Sequence, residues 1–439
     1  MKSPIRLVGL LGALAIVASA CGGPAGTTVP STGGGATTPP ATQAAYPAGP
    51  VNITMWTKEG EADGALQYAK KLAADYKAVH ANVTITVVNK DVEKLREEFL
   101  SSSLSTPPDL LWTVSDHIGP FTASDEPLIM PLDSVIDVAS YVPAALGAVQ
   151  ADGKTWGAPI SYGNQLMLYW NKDLAGDTAP ADFSALIAKA KTLTDSAGGK
   201  FGLVFNQTES FWLVPFLGAF GGSVFDAAGK PTLNTDAMKS ALNFIKGLKY
   251  TDKVMPNEAD YNGADGLFKS SKAAFIINGD WTLGAYADAF KDKLGLGPIP
   301  KVPGGDYGKP YVAGAFFMVG ADVAKDADKL AVVSDFIKWA TNKDNSIAMV
   351  KAIKRLPGNA EAIADAVVTG DPLLKSAAEA AKLGVGTPTN LEMRCVFDRM
   401  TTAVRDLFKS SSSDVNALVD AMQKGADQDV GPGGKCGPA

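Results

Sequence analysis

From Val51 onward the apolar positions fall into short repeating patterns. Val51, Ile53 and Met55 alternate with Asn52 and Thr54, which predicts a strand ending near Trp56. Across Gly64–His80, Leu66, Ala69, Leu72, Tyr76 and Val79 share one helical face. Val83, Ile85 and Val87 alternate again as a second strand. Val92–Leu104 predicts a helix, and Asp109–Thr113 a buried strand. This β-α-β-α-β order predicts parallel strands joined by crossover helices. Ligands of such sheets gather beyond the carboxyl ends of the strands. Two loops leave such ends: Trp56-Thr57-Lys58-Glu59 and Val114-Ser115-Asp116-His117.

The middle of the chain predicts more of the same style. Strands are expected at Leu166–Trp170, Phe201–Asn206, Ala273–Asn278, Leu294–Ile299 and Phe316–Val319. Helices are expected at Ala181–Thr194, from Phe211 to Ala219, and at Asp236–Leu248. Lys301–Lys309 is a Pro/Gly-rich connector. Beyond Ala327 the pattern is helical, at Lys329–Ala340, Asp344–Ala352, Ala360–Ala366, Leu373–Ala381, Glu392–Lys409 and Asp414–Lys424. No short-period repeat is present.

The first 50 residues follow another logic. Lys2 and Arg6 precede the apolar run Leu7–Ala18, and Ser19-Ala20 supply small residues, which is the order of a secretory signal over residues 1–20. The run is too short to span a bilayer comfortably. A cysteine directly after it, Cys21, resembles a bacterial lipobox, with Ala18 where Leu is usual. The resemblance implies lipidation of Cys21. An ordinary secretory signal with Cys21 incidental is the alternative. Gly22–Pro50 reads as a disordered tether. Its coil span is about 30 Å and its extended reach about 90 Å. Ser210–Phe225 is the nearest approach to a second apolar span, and Pro215 and several glycines interrupt it.

The chain has 439 residues, 46% of them hydrophobic, enough for two to three domain-sized units. A net charge of -6 argues against a nucleic-acid surface. Export would place Cys395 and Cys436 where disulfides persist, and we expect them to pair; two unpaired thiols are the alternative.

Three segments set an aromatic ring beside a carboxylate or amide at a strand end: Trp56-Thr57-Lys58-Glu59, Asn206-Gln207-Thr208-Glu209-Ser210-Phe211-Trp212, and Asn278-Gly279-Asp280-Trp281. Sugars need both parts. The C–H face of a pyranose lies flat on a ring, and its hydroxyl edge exchanges paired hydrogen bonds with carboxylates and amides. Trp112, Trp170 and Trp339, inside apolar stretches, read as core. Trp281 and Trp212 follow turn-like residues, from which each can reach solvent as a ligand platform; ordinary core is the equal alternative. Glu209 and Asp116 have helix capping as an alternative role. Glu59, Glu61 and Asp63 also fit a solvated acidic face.

The segments PDLLWTVSDHIG (Pro108–Gly119), GAPISYGNQLMLYWNKDL (Gly157–Leu174), FNQTESFWLVPFLGAFGG (Phe205–Gly222), LFKSSKAAFIINGDW (Leu267–Trp281) and KPYVAGAFFMVG (Lys309–Gly320) together carry a family likeness. The chain from about Val51 to about Lys424 resembles the maltose/maltodextrin-binding proteins, the extracytoplasmic receptors of ABC sugar importers. The resemblance implies an α/β, two-lobe periplasmic-binding-protein fold with a hinged ligand cleft between the lobes. The first lobe is expected from Val51–Ile160 plus Tyr311–Pro357, the second from Asn164–Pro310 plus Gly358–Gln428, with 429–439 a flexible tail. It further implies that Asp116 and Glu209 accept sugar hydroxyls, that Lys58 donates, and that Phe211, Trp281 and Phe397 stack. Trp212 is then an additional platform, and Asn164 a polar contact. Departures from the family pattern leave the sugar open between maltose, trehalose and another oligosaccharide: Thr113 stands in place of an indole, His117 of an Arg, Ser210 of a Pro, and Phe397 of a larger ring.

The implied partners are an oligosaccharide, an ABC importer permease and, through the lipid, a membrane. A monomer is expected, extracytoplasmic and lipid-anchored, in a periplasm or at the outer face of the cytoplasmic membrane. No cofactor or nucleic acid is called for. A glycosidase pair of Glu209 and Asp116 is the first rival, but the two fall on different lobes with no spacing signature. Neither His80 nor His117 sits in a nucleophile motif. Asp260–Gly266 faintly resembles a calcium loop, but Ser271 stands at the twelfth position, so it reads as a helix start. A peptide or polyamine receptor is the remaining rival; backbone capture would need fewer rings.

Overall fold

The computed structural model describes residues 46–61, 64–102 and 106–436. The signal, Cys21, the tether up to residue 45, Asp63 and Leu104 lie outside them. Among the described residues no helix is long and apolar enough to cross a membrane.

Two sheets organise the body. The first runs Val83–Asn89, Val51–Thr57, Leu110–Thr113, Phe316–Gly320, Ile129–Met130, with Ala158–Pro159 also paired to Phe316–Gly320. Val51 lies beside Val83 and Met55 beside Leu110, both parallel, as the β-α-β-α-β order predicts. Phe316–Gly320 enters from far along the chain and pairs antiparallel to Leu110–Thr113. Helix Ala65–Val79 lays Leu72 and Tyr76 on this sheet, in one core with Met55, Trp112, Phe121 and Phe317.

The second sheet runs Leu294–Gly297, Leu166–Asn171, Ala273–Gly279, Phe201–Val204. Here the expected parallel style fails. Ala273–Gly279 is parallel to Phe201–Val204 but antiparallel to Leu166–Asn171, which is antiparallel to Leu294–Gly297 as well. Every residue of Leu166–Asn171 and Ala273–Gly279 is buried, so alternation gave no hint of direction. Apolar layers cover both faces. Phe183, Phe216, Ile245 and Val396 lie in one, and Tyr169, Phe268, Tyr286 and Leu374 in the other.

The C-terminal region is helical at Ala327–Ala340, Lys343–Ile353, Pro372–Lys382, Met393–Lys409 and Val415–Val430. The helix expected over Ala360–Ala366 does not form. Asn359 Oδ1 accepts the N–H groups of Glu361 and Ala362, and Asp365 caps a short turn, Ala366–Thr369. These local side-chain bonds compete with a helix ladder. A helix at Leu283–Phe290 was not anticipated. Cys395 and Cys436 form a disulfide with Cα atoms 6.3 Å apart, fastening the chain end to helix Met393–Lys409.

Three segments that lie between the two sheets or their apolar layers, near residues 160–163, 313–314 and 356–358, bond to one another. Tyr162 N–H donates to Leu356 O (2.9 Å), Ala313 N–H to Gly163 O (2.7 Å), and Gly358 N–H to Ile160 O (3.1 Å). The approach is close enough to demand glycine: at Gly314, φ +155°, a Cβ would collide with the Ser161 carbonyl.

Candidate ligand cleft between the lobes

Lys58 leaves the first sheet one residue past strand Val51–Thr57, and its N–H donates to Trp112 O at 3.2 Å. Its ammonium is 3.0 Å from Glu59 Oε1, and Glu59 Oε2 lies 2.8 Å from Arg355 Nη2. Glu59 is 2% exposed, so the solvated acidic face is not its setting. Burial alone would raise its pKa, but the Arg355 and Lys58 charges outweigh that and hold it at about 2.

Asp116 is half-buried in the turn Ser115–His117, which no side chain caps. His117 is buried, with Nδ1 2.8 Å from Thr113 Oγ1. Burial pushes its pKa down to about 4 against the pull of Asp116. The ring is therefore neutral at physiological pH, unlike the cation an Arg would supply there.

Glu209 follows strand Phe201–Val204 of the second sheet. It opens to solvent, and Asn206 Nδ2 donates to its Oε1 at 2.9 Å. It precedes the turn Ser210–Trp212 without capping it. Its pKa is raised by desolvation, opposed by the Asn206 bond.

Phe211 and Trp281 are half-buried, with ring centroids 6.2 Å apart at 45°. Trp281 Nε1 donates to Tyr261 Oη at 2.9 Å, which fixes the indole. Trp212 is a correction. It is 4% exposed, donates to Ile277 O at 2.9 Å, and meets Trp281 edge-on at 6.4 Å and 86°. Consecutive residues of a tight turn point different ways, so Phe211 faces out while Trp212 packs behind the exposed pair. Phe397 is 8% exposed against Tyr311, and its carbonyl accepts Ser210 Oγ at 3.3 Å, adjoining Phe211. Asn164, at φ +58°, donates its N–H to Asp280 Oδ2 at 2.9 Å, one residue before Trp281.

The lobes touch across this face. Glu93 of helix Val92–Ser102 lies 2.6 Å from Arg394 of helix Met393–Lys409, and Arg96 lies 3.3 Å from Glu93. A Cβ at Gly119 would meet the Leu391 backbone at 2.7 Å. The Asp116 charge reaches Glu93, and the Asp91 charge reaches Glu209. Phe211, Trp212 and Trp281 thus form one ring cluster, and the Glu93–Arg394 pair ties helix Val92–Ser102 to helix Met393–Lys409. Sequence reasoning missed Arg355, Tyr261, Glu93 and Arg394, which no local pattern distinguishes from ordinary surface or core. Asp260 caps helix Tyr261–Lys269 by accepting Gly263 N–H at 2.7 Å, the helix start expected of that segment. A separate cavity of about 840 Å³ on the second lobe is lined by Gln207, Tyr250, Asp260, Arg405 and Phe408, among others, and holds none of the expected site residues.

Residues 71–376 match the family model of the bacterial extracellular solute-binding proteins. The chain belongs to that family. It is a receptor family, not an enzyme class. A maltodextrin-binding protein of Bacillus subtilis is 25% identical over 78% of this chain and 82% of its own length. A galactooligosaccharide-binding protein of the same organism is 24% identical over 84% and 88%. Among solved structures, the maltose/maltodextrin-binding domain of Bdellovibrio bacteriovorus bound to maltotriose superposes with TM-score 0.80 at 30% identity, covering 86% of this chain and 99% of that one. The two-lobe architecture of this solute-binding protein is therefore that of the maltose-binding structures.

Proposed function

We propose that this protein is an extracytoplasmic receptor that binds a maltose/maltodextrin-type oligosaccharide in the interlobe cleft and delivers it to an ABC importer permease. The observation that carries the reading is the half-buried pair Phe211–Trp281, braced by Trp212 and Tyr261, next to the Glu209 carboxylate. Such a pair takes the C–H faces of adjacent pyranoses, and Glu209 takes their hydroxyl edges. Lys58 and Asp116 approach from the first lobe, so a sugar bridging both sets favours the closed state. Phe397 and Asn164 extend the contact. The maltotriose-bound neighbour supports this ligand class.

The lobes divide at the three bonded crossings, near residues 160–164, 310–314 and 355–358, and these act as the hinge. Cys21 carries the lipid, residues 22–50 tether the body, and the receptor works as a monomer at the membrane's outer face. No reaction is performed on the sugar, since Asp116 and Glu209 belong to different lobes and serve as acceptors.

A second sugar is favoured by one observation. His117 is neutral and buried where a cation would support the maltodextrin edge, and a galactooligosaccharide-binding relative lies at similar identity. Tryptophan fluorescence titrated with maltose, maltotriose, trehalose and a galactooligosaccharide separates the two. We expect the tightest response to maltotriose. Removing one stacking face in Trp281→Ala is worth about 2 kcal/mol, or roughly 30-fold in affinity. Silence across the panel, or unchanged affinity in a folded Trp281→Ala protein, refutes the proposal.

A further inference from the structure

Two acidic side chains sit one residue away from expected ligand contacts, one in each lobe. Glu59 follows Lys58, and Asp280 precedes Trp281. Neither faces water: they are 2% and 4% exposed. Each is bonded instead to a segment crossing between the lobes. Glu59 pairs with Arg355 at 2.8 Å, and Asp280 accepts the backbone N–H of Asn164 at 2.9 Å. Arg355 leads into Leu356, whose carbonyl receives the Tyr162 N–H. Gly163 and Asn164 belong to that same first crossing, and Gly163 receives the Ala313 N–H. The three crossings therefore form one hydrogen-bonded ladder, and a carboxylate from each lobe is fastened to it.

The fastening is built in at the backbone. Gly163 adopts φ +136°, and a Cβ there would collide with the Asp280 carboxylate. Asn164 holds a left-handed backbone at φ +58°, sparsely populated for a residue with a side chain and sustained where its surroundings over-determine it. Charge joins the two anchors. Arg355 pairs with Glu59 and also attracts Asp280, whose carboxylate feels Lys58 and Glu59 as well. Lys58, Glu59 and Arg355 thus form one ion-pair chain, and Asp280 lies within reach of their charges. A buried ion pair contributes little net stability over apolar packing, but it has discrete geometry. That suits a part that must hold two loops in register.

We propose that Glu59 and Asp280 are positioning residues that lock Lys58 and Trp281 to the interlobe ladder, so that the ligand-facing loops and the hinge move as one unit. This rests on the reading of Lys58 and Trp281 as sugar contacts. Glu59 takes one donor of the Lys58 ammonium and leaves the others aimed by that bond. Asp280 ties the backbone beside Trp281 to the first crossing, while Tyr261 holds the far end of the indole.

The test uses the lipid-free mature receptor with maltotriose as probe, followed by titration calorimetry and amide hydrogen exchange. Asp280→Ala raises Kd by roughly tenfold or more, and Asp280→Asn, which keeps a carbonyl acceptor for Asn164, recovers most of the loss. The Asn164 amide, protected in the wild type, exchanges freely in Asp280→Ala and is protected again in Asp280→Asn. Lys58→Ala and Glu59→Gln each weaken binding, and the double variant is within about twofold of the weaker single one, because Glu59 acts through Lys58. Additive losses, or an Asp280→Ala protein with lowered melting temperature but wild-type Kd, overturn the proposal. If Glu59→Gln does not fold, the Asp280 pair of variants decides. If the wild type does not bind maltotriose, the functional reading fails, and Asn164 exchange in the ligand-free protein still tests the positioning claim.

Discussion

Two buried groups near the cleft titrate in opposite senses, and their contributions to stability cross in mildly acid solution. His117 is driven from 6.5 down to about 4 by burial. Above pH 6.5 the ring is neutral in folded and unfolded chains, and the full stability is present. Below it the unfolded chain takes up a proton that the folded chain refuses until about 4, so stability falls. At about 1.4 kcal/mol per pH unit, the loss reaches about 3 kcal/mol. Asp280 moves the other way, from 3.8 up to about 6, again chiefly by burial, with Arg355 opposing. Here the folded chain takes up the proton first. Stability rises as pH falls from about 6 towards 3.8, by about 3 kcal/mol.

The two slopes offset one another between about pH 6 and 4, so neither is visible in the wild-type profile alone. Urea unfolding of wild type, His117→Gln and Asp280→Asn at pH 7.5, 6.5, 5.5 and 4.5 separates them. The wild-type advantage over His117→Gln shrinks on acidification by about 3 kcal/mol across the window, because the variant has no refused proton. The advantage over Asp280→Asn grows by a similar amount. The difference between two proteins at one pH cancels the titration of all other groups, Glu59 included. Differences that stay flat with pH refute the assignment of neutral His117 and of a strained Asp280 charge.

The bridge between Glu93 and Arg394 spans the lobes but is partly exposed, so its removal acts modestly. Arg394→Gln weakens maltotriose binding about threefold at 50 mM salt and far less at 500 mM, measured by calorimetry; equal losses at both salts contradict an electrostatic role. Opening the disulfide removes a closure over a separation of 41 residues, worth about 4 kcal/mol at most in the chain-entropy picture. The Cys436 N–H also bonds Asp429 O, and Asp429 pairs with Arg399, so the tail keeps part of its hold. Cys436→Ser is therefore expected to lower the melting temperature by several degrees in calorimetry while leaving sugar affinity intact.

What was legible in the chain follows from the range of the forces involved. The strand Val51–Thr57 and helix Ala65–Val79 were readable because each buries one face, and burial on one face prints a period. Leu166–Asn171 and Ala273–Gly279 are buried on both faces, so their existence was readable and their direction was not. Phe211 and Trp212 were indistinguishable as neighbours in sequence; only the turn decides which ring faces out. Glu59 carried the least local information. It stands beside two other acidic positions, Glu61 and Asp63, and looks like a solvated edge. Its partner Arg355 is set by the third crossing of the chain between lobes, a contact no window of sequence contains. The same holds for Glu93 with Arg394 and for Asp280 with Asn164. Groups that touch sugar can be found from their chemistry, since rings and carboxylates at strand ends advertise themselves. Groups that transmit closure are defined by which lobe meets which, and only the folded chain discloses them.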